Sequence, residues 1–242
     1  NNERNCAMLS NAIIKGESLD EVWLSWFKQM IDNRISEESR DGEVASEIIN
    51  AITVLENPTK NIMTNHVRKL SMRYAIGEML WYMSANPSLS AIQHYTKAWD
   101  RMSDDGETVN SNYGYIIKEA YNFNQYEYCK RLLVKDKNSR QAIIHIKVPK
   151  NTLEQPTKDL NCTVCLQFLI RENKLYCTTY MRSNDLWLGF PYDIFQFTCI
   201  QVRMAMELGL EIGSYTHIAG SLHMYKRDFD KAIERYKEEN NV

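Results

Sequence analysis

Four stretches taken in order decide the fold: QAIIHIKVP at 141–149, NCTVCLQFLI at 161–170, KLYCTTYMR at 174–182 and PYDIFQFTCIQVRMAMELG at 191–209. The first three are short runs rich in Ile, Val, Thr and Tyr, separated by turn-forming residues, and they read as sheet strands. The fourth changes period. Ile194, Phe197, Gln201, Met204 and Leu208 recur every three or four residues, with Pro191 near the start and Gly209 as a stop, which is a helical pattern. SYTHIAGSLHMY at 214–225 returns to strand character, and a short charged helix follows from Asp228.

Upstream, SLDEVWLSWFKQMI sets Leu19, Val22, Trp23, Trp26, Phe27 and Met30 at helical spacing behind a capping box of Ser18 and Glu21. SRDGE at 39–43 reads as a turn, and the branched residues of EIINAITVLENP as a strand ending before Pro58. The spacing predicts a second helix over 65–84, with Leu70, Tyr74, Gly77, Leu80 and Trp81 on its apolar stripe and Glu78 among them. Residues 85–139 are polar and aromatic with weak periodicity, as expected of short helices and loops around AWDRMSDDGETVNSNYG. No repeat, low-complexity tract or linker divides the chain, so 1–242 reads as a single domain with 1–38 as an N-terminal helical extension.

Composition narrows the function. Lys+Arg 29 against Asp+Glu 31 gives a net charge of -2, so no global positive field holds a nucleic acid polymer or an anionic membrane. No run approaches a membrane span and the start NNERN lacks the apolar core of a secretory signal, which makes the cytoplasm the expected location. Six cysteines are too few for a disulfide scaffold. Cys162-x-x-Cys165 lacks a second ligand pair for zinc and lies in a strand pattern instead of opening a helix, so no metal is expected and a redox dithiol is disfavoured. By periodicity alone Cys162 is a buried strand residue.

A set of spaced motifs points elsewhere. CTVCLQF (162–168), RSND (182–185), LGFPYDI (188–194) and HMY (223–225) resemble, in order, the nucleophile, phosphate, base and sugar motifs of thymidylate synthases. GEMLWYM (77–83), AWD (98–100), NYG (112–114) and SRQ (139–141) resemble that family's upstream motifs. The resemblance implies an α/β (α+β) fold, a mixed sheet flanked by helices, in a homodimer that borrows Arg140 across the interface. It further implies that Cys162 attacks C6 of a pyrimidine nucleotide, activating C5 toward the methylene carbon of the co-substrate 5,10-methylenetetrahydrofolate, with Glu78 as proton relay. Arg182, Ser183 and Arg140, with Arg40 as a weaker candidate, would hold the 5′-phosphate. His223 and Tyr225 would bind the sugar, and Gln167 would line the nucleotide. Asp185, Gly189, Trp99 and Tyr113 match folate-side positions.

The departures from the family pattern carry information. Asn161-Cys162-Thr163 replaces Pro-Cys-His, and Asp193 replaces the Asn that reads the uracil edge. A carboxyl group can accept from the N4 amino group of cytosine, which an Asn amide nitrogen cannot. Together with NSNYG and MRSND, this is similar to deoxycytidylate hydroxymethylases of phages and cytidylate hydroxymethylases of antibiotic pathways. Met102 stands where the family has the second Trp of W-D-x-W, and the chain stops soon after Tyr225. Both changes weaken water exclusion and favour water addition, giving a 5-hydroxymethyl nucleotide. Reductive methylation of dCMP or dUMP, or a catalytically silent nucleotide-binding protein, are the competing readings.

Overall fold

The computed structural model describes residues 10–39, 42–147 and 157–240. In chain order its elements are β1 (Ile13–Gly16), α1 (Leu19–Asp32), β2 (Arg34–Ser39), β3 (Gly42–Leu55), α2 (Met72–Ser84), α3 (Leu89–Gln93), α4 (Tyr113–Lys118), α5 (Gln125–Lys135), β4 (Ile143–His145), β5 (Thr163–Arg171), β6 (Lys174–Met181), β7 (Asn184–Asp185), α6 (Phe190–Leu208), β8 (Glu211–Tyr225) and α7 (Lys226–Asn240). The chain divides into two compact units. One takes the residues up to Leu70, Met181–Thr198 and those from Ser214 onward, and the other takes Ser71–Tyr180 and Cys199–Gly213.

In the first unit β3 is the central strand. It runs parallel to β1 and antiparallel to β2 and β8, while β7 runs parallel to β8, so the sheet is mixed. Helix α1 forms where the Ser18 side chain accepts from the Glu21 N–H at 3.3 Å. The expected capping box closes one residue early, because the Glu21 carboxylate accepts from the Glu17 N–H and not from the cap. Val22, Trp23, Trp26, Phe27 and Met30 are fully buried, each stabilising the unit by about 1.5–3 kcal/mol relative to exposure. The two indole N–H groups are matched, Trp23 donating to the Leu186 carbonyl and Trp26 to the Thr53 hydroxyl, both at 2.8 Å.

The predicted helix over 65–84 begins only at Met72. Asn65 spends its side-chain oxygen on the Arg68 N–H at 2.8 Å, a local turn that competes with helix, and Ser71 then caps α2 through the Tyr74 N–H. Leu80 lies off the buried stripe and is 48% exposed.

The second unit holds α2 to α5, the antiparallel pair β4 and β5, and β6 beside β5. Helix α4 is drawn tightly onto α2: a Cβ on Gly114 would stand 1.8 Å from the Tyr82 carbonyl oxygen, so only glycine fits. Gln201, a polar residue in the apolar stripe of α6, is buried because its amide nitrogen donates to the carbonyls of Leu175 and Gly213 at 2.9 and 3.0 Å. Helix α6 ends at Leu208, just before Gly209, as its sequence predicts. Helix α7 starts two residues ahead of Asp228. Among the described residues no helix is long and apolar enough to cross a membrane.

Candidate active site

In the second unit, α2 buries Glu78 to 5% exposure. An isolated carboxylate at that depth would be costly, and Tyr74, one turn earlier, answers it by donating its hydroxyl to Glu78 Oε1 at 2.8 Å. The Trp99 indole N–H in turn donates to the Tyr74 oxygen at 3.1 Å. Two candidate site residues, Glu78 and Trp99, are thus joined by Tyr74, which the sequence placed only on the apolar stripe of the helix. Trp99 packs against Trp81 with ring centroids 5.6 Å apart, and the buried Trp81 indole N–H has no acceptor among the described residues.

Cys162 stands half-buried immediately ahead of β5. The segment leading to it is anchored by polar contacts. Ser111 Oγ donates to Asp159 at 2.5 Å and to Asn161 Oδ1 at 3.0 Å, and the Asn161 amide nitrogen reaches the Ile146 carbonyl at 3.4 Å. Burial pushes the Asp159 carboxyl above its ordinary range, against the hydrogen bonds from Ser111. Asn161, which stands where the family pattern has Pro, therefore ties the segment ahead of β5 to NSNYG. On the other side the Thr163 N–H makes a long 3.5 Å contact to the Tyr113 hydroxyl. Tyr113 therefore borders the start of β5. Burial raises the Cys165 and Cys177 thiols and pushes Cys129 up to about 12, which disfavours the thiolate at all three. Gln167 Nε2 donates to the Arg140 carbonyl at 3.0 Å, which brings those two predicted residues together at the β4–β5 edge.

In the first unit, β7 and β8 align Asp185 with His223, and β3 sets Glu47 on the other side of His223. Asp185 Oδ1 accepts from the N–H groups of Trp187 and Leu188 at 2.8 and 3.1 Å. Burial raises its carboxyl above the ordinary range while the neighbouring His223 pulls it back. The rings of His223 and Tyr225 meet edge to face at 5.1 Å, and the Arg227 guanidinium lies 4.7 Å over Tyr225. Arg182 and Ser183 are half-buried at the end of β6, where the Arg182 carbonyl accepts from the Ser221 N–H. Asp193 lies in the first turn of α6, where the helix dipole favours a carboxylate. Asn184 Nδ2 donates to Asp193 Oδ2 at 2.7 Å, and His217 Nε2 meets Asn184 Oδ1 at 3.0 Å.

Seven predicted residues therefore gather in the first unit (Arg182, Ser183, Asp185, Gly189, Asp193, His223 and Tyr225), and Cys162, Glu78, Trp99, Tyr113, Gln167 and Arg140 gather in the second. Arg40 lies outside the described residues. Sequence reasoning missed Tyr74, Asn184 and His217. Tyr74 carried a signal, since it sits four residues before Glu78 on the same helix. His217 read as one more alternate residue of a strand.

The thymidylate synthase family profile matches residues 21–241. A curated relative, the deoxyuridylate hydroxymethyltransferase of Bacillus phage SP01, is 31% identical over 204 residues, covering 79% of this chain and 53% of its own. The chain spans about half the length of that relative. Among solved structures, the thermostable thymidylate synthase A of Bacillus subtilis superposes with a TM-score of 0.75 at 23% identity, covering 90% of this chain and 84% of that one. With the profile spanning nearly all of it, the chain belongs to the thymidylate synthase family.

Proposed function

We propose that the protein transfers a one-carbon unit to C5 of a cytidine monophosphate nucleotide, dCMP or CMP, and adds water to give the 5-hydroxymethyl product. The observation that carries this reading is Asp193. At the position where the family has a base-reading Asn, this chain places a carboxyl group that accepts a hydrogen bond from Asn184, and an acceptor suits the N4 amino group of cytosine. In this scheme Cys162 adds to C6 of the base, leaving C5 to attack the one-carbon donor. 5,10-Methylenetetrahydrofolate supplies that carbon. Trp99, half-buried beside Trp81, offers its ring system an aromatic face, and Asp185 and Gly189 are assigned to the folate by their match to the family pattern. Glu78, backed by Tyr74, moves protons at the base. Arg182 and Ser183 hold the phosphate, His223 and Tyr225 the sugar, and Gln167 lines the nucleotide. Arg140 is assigned to the phosphate of a partner subunit in a homodimer.

Water addition in place of reduction is supported by Met102, which removes an aromatic residue of the family pattern, and by the hydroxymethyltransferase named among the relatives. That relative's name also favours a second reading of the base, a uridylate. Incubation with dCMP, CMP and dUMP in separate reactions with methylenetetrahydrofolate, followed by mass analysis, decides both points. A hydroxymethylated cytidylate supports the proposal. A uridylate product alone moves the base, and a methyl product overturns the water step.

A further inference from the structure

Behind Asp193 lie three buried side chains that take no part in the chemistry above yet form one continuous chain of hydrogen bonds. Tyr215 and His217 are wholly buried on β8, and Asn184 on β7 is 4% exposed. The Tyr215 hydroxyl lies 2.9 Å from His217 Nδ1, His217 Nε2 lies 3.0 Å from Asn184 Oδ1, and Asn184 Nδ2 lies 2.7 Å from Asp193 Oδ2.

Each link fixes the next. A carboxylate can only accept, so Asn184 turns its amino group to Asp193 and its carbonyl to His217. That carbonyl requires a proton on Nε2. Burial pushes His217 down to about 3, so the ring is neutral, carries no second proton, and takes the Tyr215 hydroxyl as donor at Nδ1. Every donor in the chain therefore points toward Asp193. The reverse direction would present the Asn184 carbonyl to Asp193 and force that carboxyl group to hold a proton. Gly189 makes the junction possible. A Cβ there would stand 3.0 Å from Asp193 Oδ2 and 3.1 Å from Asn184 Nδ2, and the Gly189 carbonyl also takes the Asp193 N–H at 2.9 Å.

We propose that Asn184, His217 and Tyr215 are positioning residues for base selection, holding Asp193 as a hydrogen-bond acceptor and so tuning the site to a base that carries an exocyclic amino donor. This rests on the base-reading role assigned to Asp193 above. A relay in a dry interior suits the task, since breaking any link leaves a buried polar group unmatched and the reader's orientation is set from behind.

The test compares kcat/KM for cytidylate and uridylate in wild type, Asp193→Asn, His217→Leu, His217→Gln, Asn184→Ala and Tyr215→Phe, with thermal unfolding of each. In His217→Leu and Asn184→Ala the cytidylate-to-uridylate ratio falls by about tenfold or more. His217→Gln, whose amide can accept from Tyr215 and donate to Asn184, stays within about threefold of wild type, and Tyr215→Phe loses about threefold. If His217→Leu does not fold, Asn184→Ala carries the same decision. Variants that fold and lower both substrates equally, while Asp193→Asn still shifts the ratio, overturn the relay and leave the base reading standing. A wild type that prefers uridylate, or an Asp193→Asn ratio that does not move, overturns the base reading and the relay with it.

Discussion

Two carboxyl groups in this protein each end a directed run of donors, and the two runs are built inside out with respect to each other. In the second unit the donors Trp99 and Tyr74 are half-buried and the acceptor Glu78 is buried. In the first unit the donors Tyr215, His217 and Asn184 are buried and the acceptor Asp193 is half-buried. A group that must gain and lose a proton needs accessible neighbours that can exchange with it, and a buried acceptor gains most from each hydrogen bond. A group that must read a base needs its face open and its back fixed. The first arrangement suits a relay and the second a reader.

Both carboxyl groups are proposed to serve one reaction at Cys162, and the largest effect tests that role. Cys162→Ala should lower turnover by about a thousandfold or more while nucleotide affinity, measured by calorimetry, stays within about threefold, because the covalent step is lost and little binding surface goes with it. Retained turnover would break the assignment for both carboxyl groups. Next comes the reader. Asp193→Asn puts an amide donor where cytosine also donates and restores complementarity to uracil, so the kcat/KM ratio should swing toward uridylate by about tenfold to a thousandfold, roughly 1–4 kcal/mol. Steady-state kinetics on both nucleotides with one folate preparation measures it.

The run ending at Glu78 was more legible in the sequence than the run ending at Asp193. Glu78 stood out as a carboxylate in the apolar stripe of GEMLWYM, and its partner Tyr74 was within reach of helical spacing, since residues four apart share a helix face. Cys162, Arg182 and His223 were legible through ordered motifs, although periodicity alone made Cys162 an ordinary strand residue. The strands and long helices followed from period and branching. The start of α2 did not, because the Asn65 turn competes with a helix pattern that continues through it. Asn184, His217 and Tyr215 were not legible as a group. Tyr215 and His217 share one face of β8 at a spacing of two, but the link from His217 to Asn184 on β7 is a through-space contact that no local spacing encodes.

A smaller effect separates the two runs by kind. Tyr74→Phe removes the hydroxyl that links Trp99 to Glu78, leaving the buried carboxylate with one donor fewer. The cost should fall on kcat, by about tenfold for cytidylate and uridylate alike, because a lost hydrogen bond to a charged group is worth roughly 1.5–3 kcal/mol and only part of it is specific to the transition state. Tyr74→Phe thus moves the rate and leaves the base ratio alone, whereas the buried run behind Asp193 moves the ratio. A change of ratio in Tyr74→Phe would erase the distinction.

The smallest effect is in stability, and it belongs to the buried run alone. His217 is held neutral in the fold, down at about 3, by burial, whereas in the unfolded chain it titrates near the ordinary histidine value of 6.5. Below that unfolded value the unfolded chain binds a proton that the folded chain does not, so unfolding is favoured by acid. The contribution is fully present above pH 6.5 and is lost as the pH falls from there toward about 3. Between pH 7 and pH 5.5 this one residue should cost the wild type about 1 kcal/mol of unfolding free energy. His217→Gln keeps the hydrogen-bonding capacity and cannot titrate, so the difference between wild type and variant should shift by that amount across the same interval, read from urea midpoints at a common slope. The accessible run around Glu78 offers no matching histidine, and Tyr74→Phe should follow the wild-type pH dependence. A His217→Gln curve parallel to wild type would mean that the folded ring titrates as the unfolded one does and takes up a second proton across this interval. Nε2 and Nδ1 would then both donate, and the direction of the chain that holds Asp193 as an acceptor would no longer follow.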